Sequence, residues 1–229
     1  MNKLIKYFTK TEWAIWLSSI GLIVVSFIFS PNKDYLSFIS SLVGVTALIY
    51  SAKGNPFGQV LMILFCIMYG IISYSFAYYG EVITYVLMTG PMAVYALISW
   101  LRNPYEGNKA EVKVNRISKK EVLTMIGLSI VVTIVFFFVL KRFGTANLIV
   151  STLSVTTSFI AVYLTARRSP FYALAYAAND IVLIILWLLA SIGNPEYITT
   201  VACFIVFLIN DIYGFISWRR MEKRQSITQ

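Results

Sequence analysis

The sequence has no histidine and only two cysteines in 229 residues. Without histidine, the chain lacks the commonest general base near neutral pH and the commonest zinc ligand. Cys66 and Cys203 both lie inside apolar runs, which argues against a disulfide framework. No glycine-rich loop ends in Gly-Lys-Ser/Thr, so a built-in ATP motor is not expected. Nothing in the composition calls for a metal or another cofactor. Charge is scarce as well: 13% of residues are Asp, Glu, Lys or Arg, against about 25% in soluble domains.

What fills the space is apolar. Hydrophobic residues make up 59% of the chain, where about 45–50% is usual. A globule of this size cannot cover its surface with so few polar groups. A water-soluble enzyme or nucleic-acid reader is excluded, and the chain reads as an all-α integral membrane protein. The net charge of +9 is then a property of membrane loops, and no nucleic-acid partner is implied.

Apolar stretches recur at Trp13–Ser30, Leu36–Ala52, Phe57–Tyr78, Val82–Leu101, Glu121–Leu140, Asn147–Ala166, Pro170–Ser191 and Glu196–Trp218. Each approaches the roughly 20 residues that cross the hydrocarbon core as a helix. Lys3, Lys6 and Lys10 ahead of the first run resemble a signal peptide, but no small-residue cleavage pattern follows at Phe27–Asn32. A retained first span is expected. Eight spans put Lys3, Lys6, Lys10, Lys53, the basic residues of the 102–120 loop, Arg167, Arg168 and the basic end from Arg219 to Arg224 on one side. That side receives sixteen of the basic residues; the other receives Lys33, Lys141 and Arg142. Both termini and the central loop are therefore expected in the cytoplasm of a multi-pass inner-membrane protein. Trp13, Trp16, Trp100 and Trp218, near span ends, read as an interfacial aromatic belt.

The chain also repeats itself. Ala52-Lys53-Gly54-Asn55-Pro56-Phe57 answers Ala166-Arg167-Arg168-Ser169-Pro170-Phe171, and Val94–Arg102 answers Ile212–Arg220. Between them, Glu81-Val82-Ile83-Thr84 answers Glu196-Tyr197-Ile198-Thr199. The unit is three helices, and one extra crossing returns the second copy in the same orientation, as in transporters built from parallel repeats. The expected organisation is a tail over 1–12, a peripheral first helix over 13–35 and a first repeat over 36–102. A loop with its connector helix covers 103–146, a second repeat 147–220, and a tail 221–229. Gly90-Pro91 should kink the fourth span.

Of ten acids, eight fall in loops, tails or span ends: Glu12, Asp34, Glu81, Glu106, Glu111, Glu121, Glu196 and Glu222. Asp180 and Asp211 fall well inside spans, where an Asp costs roughly 2.5–3.5 kcal/mol and needs a partner or a watery cavity. Each follows an asparagine, Asn179 and Asn210, and the two pairs lie at similar depths on neighbouring helices. Two readings stand: the pairs meet a polar solute, or they clamp helices together. Tyr176, Asn179, Asp180, Leu183 and Trp187 form one helical stripe. A tryptophan beside a carboxamide and a carboxylate suits a flat, cationic heteroaromatic ring carrying a sugar; the alternative is that Trp187 belongs to the aromatic belt. Gln59, Cys66, Tyr69 and Ser73 form a comparable stripe on the third span, and Ser151, Ser154 and Thr157 lie on the sixth.

Together these features resemble the PnuC family of bacterial vitamin transporters. The resemblance is carried by Tyr79-Gly80-Glu81, Tyr95–Arg102, Glu111-Val112-Lys113-Val114, Asn179-Asp180 with Leu186-Trp187, and Asn210-Asp211-Ile212-Tyr213-Gly214-Phe215 with Trp218. It implies eight transmembrane helices: a SWEET-like three-plus-one-plus-three core with one added N-terminal helix, assembled as a homotrimer. It further implies facilitated diffusion of nicotinamide riboside, an NAD precursor, through alternating access, with phosphorylation trapping the product. Relatives similar in architecture carry thiamine or riboflavin. Asn179, Asp180, Trp187, Asn210 and Tyr213 carry over as substrate-binding residues; Asp211 and Tyr176 join them by position, and Gln59 by depth and chemistry. A variant of this reading couples transport to protons through Asp180 or Asp211. An intramembrane enzyme lacks support, since no Ser or Cys has a base beside it.

Overall fold

Inside a bilayer each backbone N–H and C=O must find its partner within the protein, and a helix provides that locally. The structure, a computed structural model, describes residues 7–29, 33–75, 79–193 and 198–227. Among these, eight helices are long and apolar enough to cross a membrane. We number the helical elements α1 (Lys10–Phe29), α2 (Tyr35–Ala52), α3 (Phe57–Ser75), α4 (Tyr79–Val82), α5 (Gly90–Leu101), α6 (Lys119–Arg142), α7 (Leu148–Ala166), α8 (Phe171–Ser191) and α9 (Ile198–Ile227). The expected span ends at Ser30, Tyr78 and Glu196 lie outside the described residues. Asp34 caps α2 by accepting from the Leu36 and Ser37 amides, and Ser118 with Glu121 forms a reciprocal capping box on α6. Helix α9 continues to Ile227, through the segment expected as a tail.

The fourth span is α4 and α5 joined by a π-helical turn over Ile83–Thr89. Pro91 has no N–H to offer, and its ring crowds the carbonyl four residues back. The backbone answers with a wider turn, in which the Gly90 amide reaches the Tyr85 carbonyl. The matching stretch of α9 has no proline and stays α-helical.

The two copies of the repeat meet along α9 against α2 and α5 against α7. At one end they exchange equivalent bonds. The Trp218 indole N–H donates to the Ser51 carbonyl at 2.8 Å, and the Trp100 indole N–H donates to the Thr165 carbonyl at 2.8 Å. Both tryptophans are 0% exposed, and their rings lie 5.3 Å apart beside Tyr172. The interfacial-belt expectation fails for these two: each indole spends its N–H on the last turn of the opposite repeat instead of on the membrane surface. Trp13 and Trp16 are half-buried, and Trp16 bonds to Thr46.

The turns below this pair match too. The Gly54 amide bonds to the Ser51 carbonyl, as the Arg168 amide does to the Thr165 carbonyl. Both residues hold a left-handed backbone, φ 66° and 57°; only the glycine does so without steric cost. The central loop forms a hairpin, β1 (Pro104–Tyr105) with β2 (Asn108–Val112). Its continuation joins both turns, the Val112 amide bonding to the Gly54 carbonyl at 2.9 Å and the Asn115 amide to the Arg168 carbonyl at 3.0 Å. Gln225 of α9 accepts from the Val114 amide and donates to the Val112 carbonyl, while Arg224 pairs with Glu111.

Helix α1 packs on α2 and α9, and Leu17 and Ile28 are among its exposed side chains. Its N-terminal end is pinned by Glu12, only 3% exposed, which pairs with Lys53 at 3.1 Å. Glu12 was expected among the peripheral acids; the Lys53 ammonium, which also faces the Tyr7 ring, is what permits its burial. Burial pushes the Tyr7 phenol above its ordinary range, partly offset by the hydrogen bond from Asn55.

Trp100→Phe and Trp218→Phe each remove one N–H and leave the Thr165 or Ser51 carbonyl with its turn amide alone. Each should lower stability by about 0.5–1.5 kcal/mol, read as a reduced melting midpoint in detergent. The two losses should be alike.

Candidate functional site

Two cavities open into the helical bundle. The larger, about 500 Å³, is walled by α1, α2, α3, α8 and α9. Its apolar wall includes Phe38, Phe65, Tyr69, Phe204 and Phe207, and its polar groups include Ser37, Ser40, Ser41, Ser73 and Cys203. The smaller, about 220 Å³, lies among α4, the π turn, α6, α7 and α8, and includes Glu81, Thr84, Thr145, Asn147 and Ser151. Trp187 lines both.

Trp187 is 7% exposed and packs in the central apolar cluster with Phe65, Tyr69 and Tyr85. It is a wall between cavities and not part of an aromatic belt. The Tyr69 ring stacks on Phe65 at 5.5 Å and meets Tyr85 at 4.4 Å. The Tyr69 hydroxyl faces Trp187 and Ser73. Flat aromatic faces with hydroxyls at their margin suit a heteroaromatic ring joined to a sugar.

The Asn-Asp pairs divide their attention, because neighbours on a helix point about 100° apart. Asn179 turns to α7, where its Oδ1 accepts from Thr157 at 2.7 Å and from Ser158 at 3.0 Å. Asp180 turns to α9 and meets Asp211; both are buried, at 3% and 4% exposed, and Asp180 Oδ2 has no hydrogen-bond partner. Tyr176, Cys66 and Tyr85 surround this carboxyl pair. Asn210 turns outward to α1, its Nδ2 donating to Ser19 at 2.9 Å and to the Val206 carbonyl at 2.8 Å. Tyr213, one turn further, is half-buried beside Thr9 and Glu12. Gln59 is buried, with its Nε2 3.5 Å from Ser51 Oγ near the closed end.

Of the eight residues expected to bind substrate, Trp187 lines the cavities. Asp180, Asp211 and Tyr176 gather deeper in the bundle. Asn179, Asn210, Tyr213 and Gln59 reach neighbouring helices. Two groups escaped the sequence reading. Ser37, Ser40 and Ser41 recur at helical spacing along one face of α2, a visible but weak signal. Glu81 was expected with the acids of loops, tails and span ends; it lies in α4 and is only 9% exposed.

Comparison with known proteins gives a consistent result. Residues 34–220 match the family model described as nicotinamide mononucleotide transporter. The nicotinamide riboside transporter PnuC of Neisseria mucosa is 27% identical over 219 residues, covering 93% of this chain and 82% of that protein. The nicotinamide riboside transporter PnuC of Haemophilus influenzae is 21% identical over 211 residues, covering 92% and 90%. The crystal structure of the vitamin B3 transporter PnuC superposes with a TM-score of 0.83 at 25% identity, covering 95% of this chain and 94% of that one.

Asn179→Ala takes the acceptor from the Ser158 hydroxyl, while Thr157 keeps the Leu153 and Ser154 carbonyls within reach. It should cost about 1–3 kcal/mol of stability, read as a lower melting midpoint. Transport by the folded fraction should keep its KM within about twofold, a shift worth less than RT ln 3.

Proposed function

We propose, from the premise that this chain belongs to the nicotinamide mononucleotide transporter family, that it carries nicotinamide riboside across the bacterial cytoplasmic membrane by facilitated diffusion. The observation that carries this reading is Trp187, an indole shared by two cavities among otherwise well-packed helices. Nicotinamide riboside is a flat pyridinium ring with a sugar attached. An aromatic wall suits its ring, and the serine hydroxyls of α2 and α3 suit its ribose.

The same geometry supports alternating access. Trp100, Trp218 and Tyr172 close one end of the bundle, and the 112–115 segment lies across them. The larger cavity opens toward the other end, where Asp34 caps α2. Rocking of the two repeats about their α2–α9 and α5–α7 seams would close the cavity on that side and part the tryptophans on the other. The basic-residue asymmetry supports a cytoplasmic location for the tryptophan end and both termini. Phosphorylation inside the cell then traps the vitamin. Assembly as a homotrimer rests on the family resemblance.

A second reading, proton coupling, is favoured by the contact between Asp180 and Asp211. It predicts that Asp180→Asn or Asp211→Asn abolishes accumulation against a gradient while exchange continues. Equal accumulation in wild type and both variants would exclude it.

Purified protein in liposomes, offered nicotinamide riboside, thiamine and riboflavin separately, tests the main proposal. Nicotinamide riboside should enter and equilibrate without accumulating. Entry of thiamine or riboflavin with none of nicotinamide riboside would overturn the substrate assignment. Trp187→Leu should raise the KM for the transported vitamin about tenfold, since losing one stacking partner costs about 1–3 kcal/mol.

A further inference from the structure

We infer that the smaller chamber is a cation-recognising subsite in which the Glu81 carboxylate receives the positively charged ring of an aromatic ligand. Three observations point there. Glu81 is more than nine-tenths buried, lines the chamber, and its Oε2 has no hydrogen-bond partner. Among the described residues no Lys or Arg pairs with it, and none lines the chamber. A buried carboxylate without a counter-charge is costly, and a bound cation removes that cost.

The neighbouring hydroxyls have the same polarity. Thr84 donates its proton to the Gly80 carbonyl at 2.9 Å, and Ser151 donates to the Ala146 carbonyl at 3.1 Å. With their donors engaged, both oxygens are left as acceptors. Around Glu81 the chamber thus offers acceptors and a carboxylate, which suit a cation bearing N–H groups, while the Asn147 carboxamide can donate or accept. The fourth wall is Trp187, whose indole favours a flat organic cation over a bare metal ion. A pyridinium bearing a carboxamide meets each of these groups. Glu81 is then the residue that separates cationic from neutral heteroaromatics.

This inference rests on reading the cavities as the substrate route, and its test is separable from the identity of the vitamin. Calorimetric titration of the purified wild-type protein with 1-methylnicotinamide, a cation, and with nicotinamide, its neutral parent, measures the charge preference directly. The cation should bind at least about tenfold more tightly, in sodium-free and sodium-containing buffer alike. Glu81→Gln should bring the two affinities together, and Glu81→Asp should keep the preference. Equal affinities in the wild type, no binding of either probe up to about 10 mM, a preference that appears only with sodium, or a preference that survives in Glu81→Gln would each overturn the assignment. The wild-type titration needs no variant to fold. A wild type that keeps the cation preference but fails to move nicotinamide riboside would refute the proposed substrate and leave the chamber's role intact.

Discussion

Two indole N–H bonds, each 2.8 Å long, hold the rest of this structure in register. The last carbonyls of a helix have no partner within it, and each has two lone pairs to satisfy. Here the Gly54 and Arg168 turn amides take one on each carbonyl, and each repeat supplies the second donor to the other: Trp218 reaches the end of α2, and Trp100 the end of α7. The exchange closes one end of the bundle with two large rings that exclude water. It also fixes the heights of α5 and α9, and so the depth of everything those helices carry. The 112–115 segment then bonds to the carbonyls of Gly54 and Arg168, sealing the turns that the tryptophans have aligned.

Symmetry is confined to that end. Toward the opposite face the fourth span widens into a π turn before Pro91, while α9 stays regular. Helix α1 covers the α2–α9 seam, and α6 packs beside α7. The two cavities differ in consequence. One is large, aromatic and edged with serine hydroxyls, with Asp34 at its opening; the other is small and carries the Glu81 carboxyl group. A ligand with a ring at one end and a sugar at the other has no twofold symmetry, so a perfectly repeated site would fit neither end well.

Much of this was legible in the sequence because it depends on averages. Span number follows from hydropathy, and the repeat follows from matched turns such as Ala52–Phe57 and Ala166–Phe171. What escaped depends on single side-chain directions. Trp100 and Trp218 sit where a belt residue sits, and an indole has one apolar body and one polar tip in either setting; only the opposing carbonyl distinguishes the two. Asn179-Asp180 and Asn210-Asp211 read as matched pairs along the chain. Yet adjacent helical residues diverge by about 100°, so each pair had to split between two neighbours. Glu81 lies close to a span end, where hydropathy does not decide whether a side chain faces the bundle or water.

The division of labour among the buried acids follows from who faces whom. Asp180 and Asp211 spend their polarity on each other, at the centre of the α8–α9 contact, beneath the aromatic cluster. Asn179 and Asn210 spend theirs on α7 and α1. These contacts tie α8 and α9 to each other and to their neighbours α7 and α1. Asp180 Oδ2, Asn210 Oδ1 and Glu81 Oε2 all lack a hydrogen-bond partner among the described residues, and Glu81 differs from the other two in lining a cavity. A carrier must bind its solute firmly enough to select it and loosely enough to let it go. A single carboxylate at the rim of an aromatic wall meets both demands. It distinguishes charge on entry, and release breaks one ion pair, with no network of helix contacts to dismantle. The deep pairs hold the helices in place while the solute passes.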